Sequence, residues 1–460
     1  MSVALILIAI IFCVFTVIRP FKIGKFPINM ASGPLIVLVF LLISQVVDLS
    51  TIKTGILGVD TLKPWQILIV FFSVAYVSIS TDVTGVFDYL AYYITRAVKG
   101  DGRKLFIFFF VFAGVLSIFT SNDIVILTLT PIIFYLGKHA KINIVPLLFA
   151  EFFAANSLSM FFYIDNPTNI MIANSLGISF LEYARVMWLP TLVAGSANLI
   201  LLYVFFRKLI TVKFDLEARS EYAIRNWFDA AISSVMLLLM FIFLVLSEKM
   251  EFAVWQVTAT FAILFMVEDI LFGNFYFFKE QKMSEVQLEK GSDVHGVPKE
   301  EHEFWIALKR VPWKIFPFIF TFFVLVAALG EHGVISALSG YLSDLSSGLL
   351  SGIFVNGIVG LILANIINNQ PMAILFSNVF VNGSFALSDA AFKGSAYAVI
   401  IASNLGANIT IMGALAGLMW KKILRTKGVY ISYMQFFKVG ITITPVVFIL
   451  SLITLFFVLR

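Results

Sequence analysis

Residues 348–382 read GLLSGIFVNGIVGLILANIINNQPMAILFSNVFVN, and the middle of this stretch is an uncharged polar knot, Asn365-Ile366-Ile367-Asn368-Asn369-Gln370-Pro371, between two apolar arms. In lipid, irregular backbone and unpaired amides persist only where protein or a water-filled cavity satisfies them. The stretch therefore predicts a re-entrant hairpin that enters a membrane and returns, with its amide-rich tip inside. A second stretch, 103–141, has the same build around Thr120-Ser121-Asn122-Asp123, with Pro131 following. Arg103, Lys104, Lys138 and Lys141 flank it, so it opens to the cytoplasm; 348–382 has no basic flank and opens outward.

Two further knots interrupt apolar runs. Asp165-Asn166-Pro167-Thr168-Asn169 breaks the run 144–181, and Ser403-Asn404-Leu405-Gly406-Ala407-Asn408-Ile409-Thr410 breaks the run 394–420. In each half an Asn-rich tip precedes an Asn-rich break by roughly 35–45 residues, an order that chance clustering does not give.

Composition places the whole chain in the same solvent. Of 460 residues 60% are apolar and 13% charged, and the mean hydropathy is +0.98. A soluble domain draws about a quarter of its residues from Asp, Glu, Lys and Arg. The 50 Phe suit lipid and helix contacts. The net charge of +5 sits in short loops between apolar runs, which is a topology signal and not a nucleic-acid surface. Cys13 is the single cysteine, so intrachain disulfides and multi-thiolate metal sites are excluded, and the four His show no ligand spacing. No Walker sequence, Ser/His/Asp set or His-Glu-x-x-His motif is present, which excludes ATP hydrolysis within the chain and the common hydrolytic chemistries. No cofactor is expected.

A hydrocarbon core of about 30 Å needs roughly 20 apolar residues per helix. Spans are expected at 2–18, 27–47, 65–81, 144–164, 186–206, 228–247, 252–272, 313–330 and 430–458. Residues 2–18 lack a basic segment before them and carry Arg19, Lys22 and Lys25 after, the pattern of a retained helix and not a signal peptide. Basic loops at 19–26, 82–104, 138–143, 207–226, 273–312 and 421–428 fall inside; 48–63, 247–251, 331–347 and 383–393 fall outside. Residues 279–303, rich in Glu and Lys, read as a solvated mobile loop.

Five spans per half reverse the orientation of the second half. The expected fold is an all-α polytopic membrane protein of about ten transmembrane helices, two re-entrant hairpins and two broken helices, in two inverted-topology repeats. The first repeat is 1–206, the cytoplasmic linker 207–227 and the second repeat 228–460.

Breaks of this kind expose half-helix ends, whose free N–H groups and carbonyls can hold a solute. Candidate substrate-binding residues are Thr120, Ser121, Asn122, Asn166, Thr168, Asn169, Asn368, Asn369, Asn404, Asn408 and Thr410. Amides and hydroxyls suit a small oxyanion, a carboxylate or a neutral polyhydroxylated molecule, and their oxygens suit Na⁺. Asp123 and Asp165 are the carboxylates of the knots; each either couples a proton or cation or accepts hydrogen bonds from a broken helix end. Glu151, in an apolar run, is a third such acid.

Several segments resemble the arsenite/antimonite permeases of the ion-transporter superfamily, which also holds sodium/proton antiporters and di- and tricarboxylate carriers. They are Thr120–Ile133 (TSNDIVILTLTPII), Glu182–Val186 (EYARV), Pro312–Lys314 (PWK), Asn365–Pro371 (NIINNQP) and Asn404–Trp420 (NLGANITIMGALAGLMW). The resemblance implies a two-repeat elevator-type carrier in the cell membrane, with its site between hairpins and unwound helices. It also implies a homodimer and, in some relatives, a cytoplasmic ATPase subunit. The implied activity is expulsion of arsenite and antimonite in exchange for protons. Where such permeases read Asp-Leu-Gly-Pro-Lys, this chain has Asn404-Leu405-Gly406-Ala407-Asn408. Its Asp165–Asn169 break is nearer to sodium- or carboxylate-linked relatives, so a sodium-coupled anion carrier and a sodium/proton antiporter stand as alternatives. A channel stands as a remote one.

Overall fold

A computed structural model describes residues 2–58, 62–214, 227–289 and 303–460. Among the described residues the named elements are helices apart from a small antiparallel ribbon, Phe21–Ile23 with Phe26–Ile28, that turns at Gly24 (φ +60°) and shortens the span expected at 27–47 to Ser32–Ile43. Eight helices among the described residues are long and apolar enough to cross a membrane. Ser2–Ile18, Ser32–Ile43 and Val145–Leu158 are shorter apolar helices. The outward faces of the long helices carry Ile200, Leu271, Ile362 and Phe457, all exposed, as lipid contact requires.

The order of elements occurs twice. Pro64–Val83 turns at Gly85 (φ +82°) into Val86–Ala97, and Ile315–Glu331 turns at Gly333 (φ +74°) into Val334–Leu345. The left-handed backbone at both corners is one that glycine adopts without steric cost. A hairpin follows each corner: Gly102–Phe119 with Asn122–Ala140, then Leu349–Ile367 with Asn369–Val381. A broken helix follows each hairpin: Val145–Leu158, a tight turn at Tyr163–Asp165 and Pro167–Ser175, then Asp389–Gly406, Ile411–Gly413 and Leu415–Thr426. Each series closes on a 27-residue helix opened by a serine cap and interrupted by proline: Phe180–Phe206 with Ser179 and Pro190, and Tyr433–Leu459 with Ser432 and Pro445.

Val86–Ala97 and Val334–Leu345 lie where loops 82–104 and 331–347 were expected. Their apolar residues recur at helical spacing between polar ones, so they pack one face without reaching the hydropathy of a span. The expected loop at 279–303 begins as helix, because Val254–Glu289 runs on past the membrane-length segment; 290–302 lies outside the described residues. The first hairpin arms, of 18 and 19 residues, are themselves long enough to span, whereas the second arms open on polar residues.

Candidate functional site

Each hairpin tip is built by a capping side chain. The first arm ends at Thr120, and Ser121, in extended backbone, accepts from Ile124 N at 3.3 Å to start the second. At the other tip Asn368 has φ +79° and ψ 151°, a region almost reserved for glycine. Its side chain holds that shape, accepting from Gln370 N at 3.2 Å and donating to Met412 O at 3.0 Å. The second tip is thereby tied to the second break. Asn166 plays the capping part at the first break, accepting from Thr168 N at 3.2 Å with Pro167 at the first helical position, where its missing N–H costs nothing.

The knots converge on one another. Asn122 Nδ2 donates to Asn156 Oδ1 at 2.9 Å, and Asn156 Nδ2 donates to Asn408 Oδ1 at 3.1 Å, joining the first hairpin to the second broken helix. Asn408 and Asn198 both donate to Ser157 Oγ, at 3.4 and 2.6 Å. Asn404 is a hub: its Oδ1 accepts from Asn166 Nδ2 at 2.9 Å and Ser159 Oγ at 3.2 Å, and its Nδ2 donates to Asn169 Oδ1 at 2.6 Å and Ile400 O at 2.8 Å. Ser403 Oγ donates to Thr168 Oγ1 at 2.7 Å, and Asn369 Nδ2 reaches Ser403 O at 3.4 Å. All these side chains are buried. Two broken helices, each with its ends exposed to the other, are thus stitched by amides from both halves of the chain.

Four predicted binding residues stay apart from the network, Asn368 at the second tip and three more. Thr120 Oγ1 donates to Leu116 O at 2.7 Å within its own arm, Ser121 serves as a cap, and Thr410 Oγ1 donates to Asn365 Oδ1 at 2.8 Å. Asp123 is buried beside Asn122, whose Oδ1 accepts from its N–H at 2.9 Å; among the described residues its carboxylate has no hydrogen bond. Asp165 Oδ2 accepts from Phe162 N at 3.3 Å. Asn156, Ser157, Ser159 and Asn198 belong to the network and were not predicted. Their signal is the Asn-Ser-Leu-Ser run at 156–159 inside an apolar span; Asn198 gives none.

Four oxygens at or beside the network are buried without a partner, Asp165 Oδ1, Asn198 Oδ1, Asn369 Oδ1 and Gln370 Oε1; the Tyr397 hydroxyl and the Trp420 indole N–H, farther along the second broken helix, are unpartnered too. Backbone access is also built in. A Cβ at Gly440 would meet Asn408 O at 2.2 Å and Ile409 O at 2.6 Å, so glycine there lets Tyr433–Leu459 lie against the open carbonyls of the break.

A family model described as citrate transporter matches residues 5–393. The chain belongs to that family. It is 28% identical over 396 residues to the arsenical pump membrane protein of Escherichia coli (strain K12), covering 84% of this chain and 85% of that one. The protein of the same name in Yersinia enterocolitica is likewise 28% identical, over 395 residues and the same shares. An uncharacterized transporter of Synechocystis sp. is 23% identical over 419 residues, 86% of each chain. Together with the apolar helices, these relationships make this citrate transporter family member a multi-pass transporter of the cell membrane.

Two polar contacts of this family member lie away from the amide network. Asp82, at the end of Pro64–Val83, pairs with Arg310 and accepts from Thr128 Oγ1 at 2.8 Å, tying the first hairpin to the helix beside it. Asp229, Glu268 and Asp269 are buried near one another, with Tyr76 and Ser80 donating to Asp269. On the side expected to face outward, a cleft of about 410 Å³ separates Thr54, Phe323 and Glu331 from Asn378 and Asn382 of the second hairpin.

Proposed function

We propose that this protein expels arsenite and antimonite, as their neutral hydroxides, in exchange for protons. The observation that carries the reading is the chemistry of the network: its Asn side-chain amides donate to protein oxygens, and four buried oxygens at or beside it are left over. A trihydroxide brings O–H donors to such acceptors. A carboxylate brings only acceptors and would leave the leftover oxygens unsatisfied, at about 1–3 kcal/mol for each. The names of the Escherichia coli and Yersinia enterocolitica relatives support the same solute.

In this reading the two series of elements, 1–206 and 228–460, are inverted repeats joined by 207–227, and the amide network crosses the membrane with the body that carries it. Asn122, Asn166, Thr168, Asn169, Asn369, Asn404 and Asn408 form the cage, and Asn368 shapes it. Metalloid tolerance of a pump-deleted bacterial host tests the proposal. The gene is expected to raise tolerance and lower cell-associated arsenic, and Asn122→Ala and Asn369→Ala variants present at normal levels are expected to lose that gain. Unchanged tolerance with the protein in the membrane would refute it. Leftover acceptors also suit Na⁺, and thermal stabilisation by sodium, with none by arsenite, would move the assignment to a sodium-linked carrier.

A further inference from the structure

Glu151 lies in Val145–Leu158 and is fully buried. Its Oε1 accepts from Thr130 Oγ1 at 2.8 Å, while Oε2 has no partner. Trp420 is also fully buried; its indole N–H faces the same carboxyl yet falls short of a hydrogen bond, so it too is unpartnered. The Trp420 ring is fixed there by Phe149, Phe152 and Phe436, with centroids 5.8, 5.1 and 5.8 Å away. One carboxyl on the first half of one broken helix thus bonds the second arm of the first hairpin and faces the second half of the other broken helix.

Among the described side chains no cation neutralises it. On the packed elements, Arg103, Lys104, Arg207, Lys422, Arg425 and Lys438 are exposed, and Lys421 sits 3.1 Å from the ring centre of Tyr433. Asp123 and Asp165, on the neighbouring hairpin and break, make no contact with it. A buried carboxylate with one hydroxyl donor and no cation is far costlier than the same group protonated.

We infer that Glu151 is a proton-carrying site separate from the amide cage, holding a proton in this arrangement and releasing it when Trp420 N–H closes onto Oε2. In the release step the carboxyl O–H bond breaks and the proton passes to water. The carboxylate left behind is then held by two donors, Thr130 O–H and Trp420 N–H. Trp420 lies on the helix that follows the break at Asn408–Ala414, so movement of that break can bring the indole to the carboxyl. The inference rests on the transporter reading but not on arsenite as the solute.

Infrared spectra of purified wild type and Glu151→Gln, in H₂O and D₂O near neutral pH, test it directly. The difference spectrum is expected to carry the C=O band of a protonated carboxyl, shifted by deuteration. Thr130→Val is expected to move that band without removing it, which keeps the test available if Glu151→Gln fails to fold. A carboxylate pair of bands in the difference, or no effect of Thr130→Val, would overturn the inference. In proteoliposomes with an entrapped pH dye and an arsenite gradient, Glu151→Gln is expected to move arsenite without the accompanying pH change. A pH change equal to that of wild type would overturn it. Wild-type vesicles that move no arsenite would count against the solute assignment alone, and the infrared result would still decide the proton site.

Discussion

Replacing Asn404 with alanine removes the hub of the network. Asn166 Nδ2 and Asn169 Oδ1 each lose their hydrogen bond, while Ser159 Oγ keeps Asn156 O at 3.2 Å and Ile400 O keeps its helical N–H. A buried polar group without a partner costs about 1–3 kcal/mol, so the variant is expected to lose about 2–6 kcal/mol. Asn169→Ala leaves Asn404 Nδ2 bonded to Ile400 O and strands only Ser159 O. In the double variant the stranded Asn169 oxygen is gone, so the two losses are expected to fall short of their sum by about 1–3 kcal/mol. Unfolding by a denaturing detergent in mixed micelles, followed by tryptophan fluorescence, measures all four corners of the cycle. Strict additivity, or an Asn404→Ala curve that overlays wild type, would refute a shared buried network.

Gly440→Ala is expected to force Tyr433–Leu459 away from Asn408 and Ile409, since its Cβ would sit 2.2 and 2.6 Å from their carbonyl oxygens; a melting point equal to wild type would contradict this packing. Asn368→Gly is expected to melt above Asn368→Ala by about 1 kcal/mol, because both lose the side-chain bonds but only glycine relieves the backbone. Asp82→Asn is expected to cost about 1–2 kcal/mol, less than a fully buried pair because Arg310 is partly exposed. Asp82→Asn with Arg310→Gln should cost little more, and an additive double loss would show that the two do not act as a pair.

The hairpins and breaks were legible because their Asn, Ser and Thr stand in runs too apolar for water to satisfy them. The pairing of one knot with another was not legible. Nothing in the sequence distinguishes Asn198, which donates into the network, from Asn356, which donates to Ser346 and Ser395 well outside it. Membership depends on which helix faces which, and that is settled by small residues such as Gly360, where a Cβ would come within 3.2 Å of Ala402. Val86–Ala97 and Val334–Leu345 escaped because their charged or hydroxyl residues resemble those of loops, and only the glycine corners before them hinted otherwise. The basic content of 82–104 conceals that part of it is helix.

Asn122, Asn156 and Asn408 bind one another in a chain and Asn404 binds Asn166 and Asn169, so the broken helices keep their shape with protein groups alone. A protein of this construction has no need of a bound solute to keep the breaks folded. A solute that needs donors must break one of these bonds for each it takes, whereas a solute that brings O–H groups to the leftover oxygens breaks none, so the network itself discriminates between the two.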